Sequence, residues 1–185
     1  MAYRDLREFI GRLQAEGELL EIKQEVDWNL EAGGIARRAV ERRLPCPLFS
    51  RVKGYPPGYR LLSEHCAPSG RPGRYYARIA LAFGLPPEST ARDIIEEYLR
   101  RKRNPLKPVV VSEGPCKEVV RVGEEEDLEA LPAPLIHGGD GGRYIGTWHV
   151  IATRDPDTGW VNWGMYRLMV HDRCHMGGAL VPHQH

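Results

Sequence analysis

Apolar residues near the N-terminus recur every three or four positions, and this spacing predicts an amphipathic helix. Asp5 precedes the pattern and can cap the first turn, while Gly17 follows it and can end the helix in a left-handed conformation. The apolar positions on this helix face are Leu6, Phe9, Ile10 and Leu13. We therefore expect the chain to begin with a helix that packs one face against a core.

Strand-like and helical patterns alternate through the rest of the first hundred residues. Residues 19–22, followed by Val26, alternate as a strand, and Asn29 can then cap a helix that Pro45 halts. Later in this part, the sequence predicts strands at 48–49 and 59–62, a helix at 75–83, and a helix capped by Thr90 that ends in the basic run 100–103. The order of elements predicts an N-terminal α/β domain.

The composition changes near residue 104, where prolines become frequent. They are Pro105, Pro108, Pro115, Pro132 and Pro134. We predict a boundary between 104 and 116 and assign 1–108 to one domain and 109–185 to a second. Strands are predicted at 109–111 and 117–122, so we expect β structure after the boundary.

A glycine-rich segment and a hairpin pattern follow in the second domain. Residues 138–142 contain four glycines, which permit positive φ and close approach of the backbone to a ligand. Residues 144–153 alternate as a strand, Asp155–Gly159 has turn composition, and 160–170 reads as the returning strand.

Charge and composition exclude several classes of function. The 185 residues carry 26 basic and 25 acidic side chains, so the net charge of +1 provides no field that steers the protein to nucleic acid or to a membrane. No segment approaches the roughly 20 apolar residues of a membrane span. Four cysteines without CxxC spacing and a charged N-terminus indicate reduced thiols in a cytoplasmic protein.

Residues 160–185 concentrate the groups that can bind ligands. A hairpin that turns near 173–174 would place Asn162 opposite His185 across two strands. An amide oxygen and a neutral imidazole are suitable partial ligands for a divalent cation, but two ligands are too few. A carboxylate must therefore come from elsewhere.

Arg167 lies five residues after Asn162, and this odd offset puts the two side chains on opposite faces of a regular strand. A bulge or bend at Gly164 would let both reach one ligand, whereas a regular strand would separate them. The planar guanidinium of Arg167 is suited to a carboxylate or a phosphate.

The other histidines, the cysteine and the tryptophans of this region have alternative interpretations. His171 and His175 have the spacing of zinc ligands on a helix, and Cys174 lies between them. A hairpin turn instead favours solvated or structural histidines, which we prefer. We interpret His137 and His149 as hydrogen-bonded structural histidines. Core packing is preferred over cofactor binding for Trp148, Trp160 and Trp163.

The sequence resembles the UbiD-type decarboxylases, which use prenylated FMN. The resemblance rests on DGGRYIGTWHV at 140–150, DPDTG at 155–159, NWGMYRLMVHD at 162–172 and the closing PHQH, with weaker similarity at DLREFIGRL near the N-terminus. It covers nearly the whole chain and is greatest to the branch that acts on aromatic or α,β-unsaturated acids.

This resemblance implies an α+β fold in which the N-terminal α/β domain is followed by part of a split β-barrel that binds flavin. It implies that Asn162 and His185 hold Mn²⁺ (or Mg²⁺) at the cofactor phosphate, and that the Trp160 carbonyl helps bind K⁺. Arg167 would lie by the flavin edge and hold the substrate carboxylate. The implied cofactor contacts are Asn162, Trp163, Gly164, Met165, Tyr166, Arg167, Gln184 and His185.

Members of this family are longer, and their third metal-ligand carboxylate and proton-donating acid have no match in this sequence. We therefore expect a (de)carboxylase of aromatic or α,β-unsaturated acids, or a subunit or fragment of one, whose remaining site residues come from another polypeptide or from a missing continuation. We also expect the chain to associate with a second subunit or to form a homo-oligomer. A flavin prenyltransferase would supply the cofactor. The alternatives are a non-catalytic flavin- and metal-binding or partner subunit, and a small zinc-binding protein.

Overall fold

A computed structural model describes residues 3–107 and 109–179. The described chain forms two compact units: residues 3–26 with 34–120, and residues 27–33 with 121–179. Both helices and strands are present, so the predicted α+β class is confirmed. The predicted division at 108 and the split barrel stay predictions. No helix among the described residues has the length and hydropathy of a membrane span.

Helix α1, Leu6–Ala15, forms as predicted. The Asp5 side chain accepts a hydrogen bond from the backbone N–H of Glu8 at 2.9 Å, and this bond satisfies one of the free donors of the first turn. Phe9, Ile10 and Leu13 are the buried residues of the helix. Gly17 takes a φ of 67° immediately beyond it, as the helix-ending role requires.

The first unit contains a three-stranded sheet of β1 (Leu19–Val26), β2 (Cys46–Val52) and β3 (Leu61–Leu62), in that order. β1 and β2 are parallel, with Leu19 opposite Cys46, and helix α2 (Glu31–Glu41) lies between them in sequence. The predicted cap at Asn29 is wrong. Leu30, with a φ of 69°, separates Asn29 from the helix, which begins at Glu31.

Two further helices complete the first unit: α3 (Ala77–Ala82) and α4 (Ala91–Lys102). Thr90 caps α4 as predicted, and it forms a reciprocal capping box with Asp93. The packed core contains side chains from α1, β2 and α3. They are Phe9, Leu13, Cys46 and Leu81.

The strands predicted at 109–111 and 117–122 are wrong for the described residues. The valines of this segment are exposed, among them Val109, Val110, Val119 and Val122, and Val110 is 95% exposed. The only regular structure between 109 and 122 is a 3₁₀ turn at Pro115–Lys117. Valine-rich segments have high β propensity, but a strand also needs a neighbour to complete its backbone hydrogen bonds. The local pattern therefore identified β-prone residues without fixing a strand.

The second unit contains short antiparallel strands: β4 (Tyr144–Ile145), β5 (Ile151–Arg154), β6 (Val161–Gly164), β7 (Leu168–Val170) and β8 (Met176–Gly178). They form one sheet in the order β4-β7-β8 and a second sheet of β5 and β6. The segment 27–33 joins this unit through backbone hydrogen bonds between Leu30 and Leu135 and between Leu135 and Trp28.

The hairpin predicted from 144 to 170 is present but broken in both arms. Five residues, 146–150, separate β4 from β5, whereas three residues, 165–167, separate β6 from β7. The unequal lengths shift the register by two residues, so the two arms cannot form one continuous ladder. The break in the returning arm begins after Gly164, the residue at which a bend was anticipated.

The next hairpin, β7–β8, turns at 171–175, as the sequence indicated. Its register is one residue from the predicted one: Leu168 lies opposite Gly178, whereas the predicted pairing would have placed it opposite residue 179. A one-residue change reverses the faces on which side chains lie. Asn162 is outside this ladder, in β6 opposite Thr153, and His185 lies outside the described residues.

Candidate functional site

The β5–β6 hairpin is closed by the turn that the sequence predicted. The Asp155 carboxylate accepts hydrogen bonds from the backbone N–H groups of Asp157 (2.8 Å) and Thr158 (3.1 Å), and Gly159 takes a φ of 72°. These donors, Thr158 first, lower the pKa of Asp155. The Asp155 N–H donates to the Trp160 carbonyl at 2.8 Å. The turn therefore fixes the start of β6.

Asn162 lies in β6 on the half-buried face of the hairpin. Its amide nitrogen donates to the Tyr166 hydroxyl at 3.2 Å. Tyr166 is held against Gly164, since a Cβ on Gly164 would come within 2.5 Å of the Tyr166 ring carbon Cζ. Glycine is required here because any side chain would displace the ring that positions the Asn162 amide.

Arg167 lies between β6 and β7, and its guanidinium carbon is 4.4 Å from the centre of the Tyr144 ring. This distance is typical of a cation–π contact, which orients the guanidinium without neutralising it. Among the residues the structure describes, no carboxylate forms an ion pair with Arg167, and the side chain is exposed. Its charge is therefore free to bind an anion.

The structure places Asn162 and Arg167 on opposite sides of the break between β6 and β7. They no longer share one regular strand, so the odd offset between them does not require opposite faces. The sharing of one ligand by these two side chains stays a prediction.

The donor chemistry of this hairpin fits a divalent metal and a flavin phosphate in part. With its amide nitrogen committed to Tyr166, Asn162 retains an amide oxygen, a ligand that Mn²⁺ and Mg²⁺ accept. The backbone N–H groups of 165–167 lie outside both ladders, where they can donate to an anion. The second metal position, His185, and the cofactor position Gln184 lie outside the described residues.

The remaining predicted cofactor positions are exposed. Trp163 is 67% exposed and Met165 59%, and both lie in or directly after β6. The Trp160 carbonyl, the predicted K⁺ ligand, already accepts the Asp155 N–H, which leaves it one further lone pair. Trp148 and Trp160 are also more than half exposed, so the expectation that these three tryptophans pack in a core is wrong for this structure.

The glycine-rich segment 138–142 is shaped by packing. None of its four glycines has a positive φ, contrary to the conformational use expected from the sequence. A Cβ on Gly141 would lie 3.2 Å from the sulfur of Met169 in β7, and one on Gly142 would be 3.3 Å from the same side chain. Two of the glycines therefore permit close contact with β7.

His149 does not make the hydrogen bond that we expected of it. Its ring lies against Gly146, which has a φ of 72°. Both ring nitrogens are buried and have no hydrogen-bond partner among the described residues. Buried imidazole nitrogens usually have hydrogen-bond partners, and the described residues supply none for this ring.

A second group of ligand-type side chains occupies the β7–β8 turn. The Asp172 carboxylate, the Cys174 thiol and the His175 ring converge there, all within 4.8 Å of one another. Hydrogen bonds to the Asp172 carboxylate lower its pKa to about 2. The bond from the Cys174 N–H has the largest effect, and the bond from the His175 side chain has the next largest. His171 is not a member of this group, because its ring lies against Gly177. In the sequence, His171 was a partner of His175 only in the zinc interpretation that we did not prefer, and Asp172 was not a candidate ligand.

Comparison with known proteins identifies both halves of the chain. Residues 10–98 match the 3-octaprenyl-4-hydroxybenzoate carboxy-lyase N-terminal domain, and residues 107–185 match the Rift-related domain of the same carboxy-lyase. These are the two UbiD family models, and they match consecutive parts of the chain. The segment with the β5–β6 hairpin lies within the second match.

Curated relatives and solved structures agree with the family models. The chain is 41% identical over 182 residues to the pyrrole-2-carboxylic acid decarboxylase of Pseudomonas aeruginosa, covering 98% of this chain and 37% of that protein. It is 38% identical over 187 residues to ferulic acid decarboxylase 1 of Saccharomyces cerevisiae, with the same two coverages. The chain thus spans a little over a third of the length of these relatives.

Two solved structures show the similarity in three dimensions. Vanillic acid decarboxylase of Sedimentibacter hydroxybenzoicus in its closed form matches with a TM-score of 0.83 at 31% identity, covering 97% of this chain and 37% of that one. The UbiD-class enzyme HmfF of Pelotomaculum thermopropionicum in complex with prFMN matches with a TM-score of 0.78 at 28% identity, covering 97% and 39%.

Proposed function

The chain belongs to the UbiD family, and we propose that it forms part of a prenylated-FMN- and metal-dependent (de)carboxylase of aromatic or α,β-unsaturated acids. Relatives named as decarboxylases of pyrrole-2-carboxylic, ferulic and vanillic acids support the reaction class and the aromatic substrate. The relative in complex with prFMN supports the cofactor.

The observation that carries the proposal is the broken β-hairpin around Gly164. It presents an amide, a guanidinium that pairs with no carboxylate of the described residues, and ladder-free backbone N–H groups within six consecutive residues, 162–167. These are the groups required to hold a metal, a carboxylate and a phosphate, respectively.

Each residue has a defined task in this proposal. Asn162, together with His185, would hold Mn²⁺ or Mg²⁺, and the Trp160 carbonyl would contribute to a K⁺ site. Residues 163–167 and Gln184 contact the cofactor. Arg167 binds the substrate carboxylate and orients it for loss as CO₂. When bound, prenylated FMN supplies the electron sink that decarboxylation needs.

The proton that replaces CO₂ must come from an acid that this sequence does not assign. The acidic residues at 124–126 are exposed, and none of the described carboxylates pairs with Arg167. Since the relatives are more than twice as long as the matched span, we assign the proton donor and the third metal ligand to residues beyond 1–185. A different subunit or a continuation of the chain would supply them.

The proposal also includes the source of the cofactor and the cellular location that the sequence led us to expect. A flavin prenyltransferase provides the cofactor, and the enzyme works in the cytoplasm without binding nucleic acid or membrane. A protein of the same family that binds flavin and metal without turnover is the alternative. It differs in one observable property, which is the release of CO₂.

The test is to produce the chain with a flavin prenyltransferase, with and without a candidate partner chain. We expect a prenylated-flavin absorbance spectrum and the matching cofactor mass, bound Mn²⁺, and CO₂ release from at least one aromatic or α,β-unsaturated acid. Retained cofactor without CO₂ release would favour the binding alternative. The proposal fails if neither flavin nor Mn²⁺ is retained even with the partner chain present.

A further inference from the structure

The turn between β7 and β8 brings three different metal-ligating atoms together outside the proposed flavin site. Asp172 Oδ1 lies 3.5 Å from Cys174 Sγ and 2.8 Å from His175 Nδ1, and Cys174 Sγ lies 3.6 Å from His175 Nδ1. The three atoms form a triangle. Because the group contains a thiol and an imidazole beside the carboxylate, it differs from a cluster of acidic surface residues.

The dimensions of this triangle match one face of a tetrahedral zinc site. Zinc binds nitrogen and oxygen at about 2.0–2.1 Å and sulfur at about 2.3 Å, so tetrahedral ligand atoms lie roughly 3.3–3.6 Å apart. Both distances to the thiol already fall in this range. The shorter Asp172–His175 distance needs to open by only about 0.5 Å when an ion replaces the hydrogen bond.

The turn is held in place by contacts outside the triangle. The Arg173 guanidinium donates to the carbonyl of Glu124 (3.2 Å) and of Glu126 (3.3 Å), and the Arg173 carbonyl accepts from the Leu128 N–H at 2.7 Å. These bonds engage the Arg173 side chain and anchor the backbone of the turn. A ligand set that is fixed before binding loses less conformational entropy when it binds.

We propose that Asp172, Cys174 and His175 bind a divalent transition-metal ion of the zinc class, with solvent or a fourth protein ligand in the open tetrahedral position. A thiolate and an imidazole favour zinc-class ions over Mg²⁺ and Ca²⁺, which prefer oxygen ligands. All three side chains are exposed, so the ion enters from solvent.

The competing interpretation is that Asp172 serves the turn alone. Its carboxylate accepts the backbone N–H groups of Cys174 (3.0 Å) and His175 (2.9 Å), as an aspartate in a tight turn often does. That role explains the position of the carboxylate. It requires neither a thiol at 174 nor a ring nitrogen at 175, which lies 2.8 and 2.9 Å from the two Asp172 carboxylate oxygens. The two interpretations therefore differ in what replacing those side chains does.

The binding reaction has a proton balance that can be measured. The thiolate, and not the thiol, is the form of cysteine that binds a metal ion, so Cys174 must lose its proton when the ion binds. One proton from the thiol is therefore released for each ion bound. Affinity accordingly increases with pH while the thiol is mostly protonated.

The experiment is a titration of the metal-free 185-residue chain with Co²⁺, followed by displacement with Zn²⁺. We expect one equivalent of Co²⁺ to produce a near-ultraviolet sulfur-to-cobalt absorption band that Zn²⁺ abolishes. The proposed flavin-site ligands Asn162 and His185 contain no sulfur, so this band reports the turn even if the proposed function is wrong.

Matched variants decide whether these three side chains bind the ion. Cys174→Ser should abolish the band, and His175→Gln should weaken binding by more than about 10-fold, the lower end of the loss caused even by outer-shell changes. Two controls should bind as the unaltered chain does: Cys116→Ser, at another exposed thiol, and His171→Gln, in the same turn.

Three outcomes would overturn the inference. They are a band that persists in Cys174→Ser, a loss of the band in Cys116→Ser, and the absence of any band in the folded, reduced chain. Each outcome leaves the flavin-dependent function unaffected, because that function uses other residues.

Discussion

Arg78 and Glu18 form an ion pair inside the first unit, with the guanidinium Nε 3.0 Å from the carboxylate Oε2 and only 2% and 1% of the side chains exposed. Ser69 donates its hydroxyl to the other Glu18 oxygen at 2.7 Å, and Arg78 also donates to the carbonyls of Glu64 and Leu44. The pair is therefore almost completely hydrogen-bonded, as buried charges need to be.

Replacing one member of this pair should strongly destabilise the protein. Glu18→Gln leaves the Arg78 charge buried without its counter-ion, which costs about 3–5 kcal/mol of the free energy of unfolding. Urea unfolding followed by circular dichroism measures the loss. Glu41→Gln, which breaks the exposed pairs with Arg37 and Arg38, is the control and should leave the midpoint nearly unchanged. Equal midpoints for the two variants would contradict this account.

Cys46 should be the least reactive thiol of the four. It is fully buried, and desolvation raises its pKa from an ordinary 9.0 to about 11. At pH 8 its thiolate fraction is then about 100-fold below that of an ordinary thiol. Timed alkylation with mass spectrometry should modify the exposed Cys116 first and Cys46 only after unfolding. Early modification of Cys46 in the folded chain would show that this part of the core opens.

The same shift predicts a loss of stability in alkali. The folded state holds the Cys46 proton more tightly than the unfolded state does, so the contribution of this group is complete below about pH 9 and is lost as the pH rises towards 11. Urea midpoints measured across this range should fall. Cys46→Ala, compared with the parent at each pH, should fall less steeply, and parallel slopes would rule out this cause.

Arg167 and Tyr144 should affect turnover in different ways. In the flavin-loaded protein whose site is completed by the partner chain or continuation, Arg167→Ala should lower CO₂ release at least 100-fold. Bound Mn²⁺ should be unchanged, because Arg167 binds the carboxylate and not the metal. Tyr144→Phe keeps the ring face under the guanidinium and should be active, whereas Tyr144→Leu should raise KM. Arg154→Ala, at an exposed arginine of the same hairpin, is the control. Unaltered turnover in Arg167→Ala would remove this residue from the mechanism.

Gly164→Ala should disrupt the Asn162 position without unfolding the chain. The new Cβ would meet the Tyr166 ring at about 2.5 Å, which displaces the hydroxyl that holds the Asn162 amide. We expect Mn²⁺ affinity to fall about 10-fold or more, measured by equilibrium dialysis. Gly138→Ala is the matched control, since nothing lies within 4 Å of its added Cβ and its φ is not positive. Unchanged affinity in Gly164→Ala would separate Tyr166 from the metal site.

Much of the first unit could be predicted because its signals are local. Helix α1 with its Asp5 cap, strand β1 and the Thr90 box all depend on residues within one or two turns of each other. The Glu18–Arg78 pair could not be predicted, because the two residues are 60 positions apart and each resembles a surface charge in sequence. The valine-rich segment 109–122 was predicted wrongly because β propensity does not specify a strand partner.

The sequence by itself determined the family, the order of elements and the residues from which a site can be built, since motif identity and periodicity are properties of neighbouring residues. Only the tertiary structure decided that Asn162 is held by Tyr166, that Arg167 stacks on Tyr144, and that Asp172 rather than His171 joins Cys174 and His175. Those contacts depend on two features of strand pairing. The register shifts by two residues between the β5–β6 and β4–β7 pairs, and the β7–β8 register is one residue from the predicted pairing. Such shifts are set by how strands pair, and side-chain spacing along one strand does not encode them.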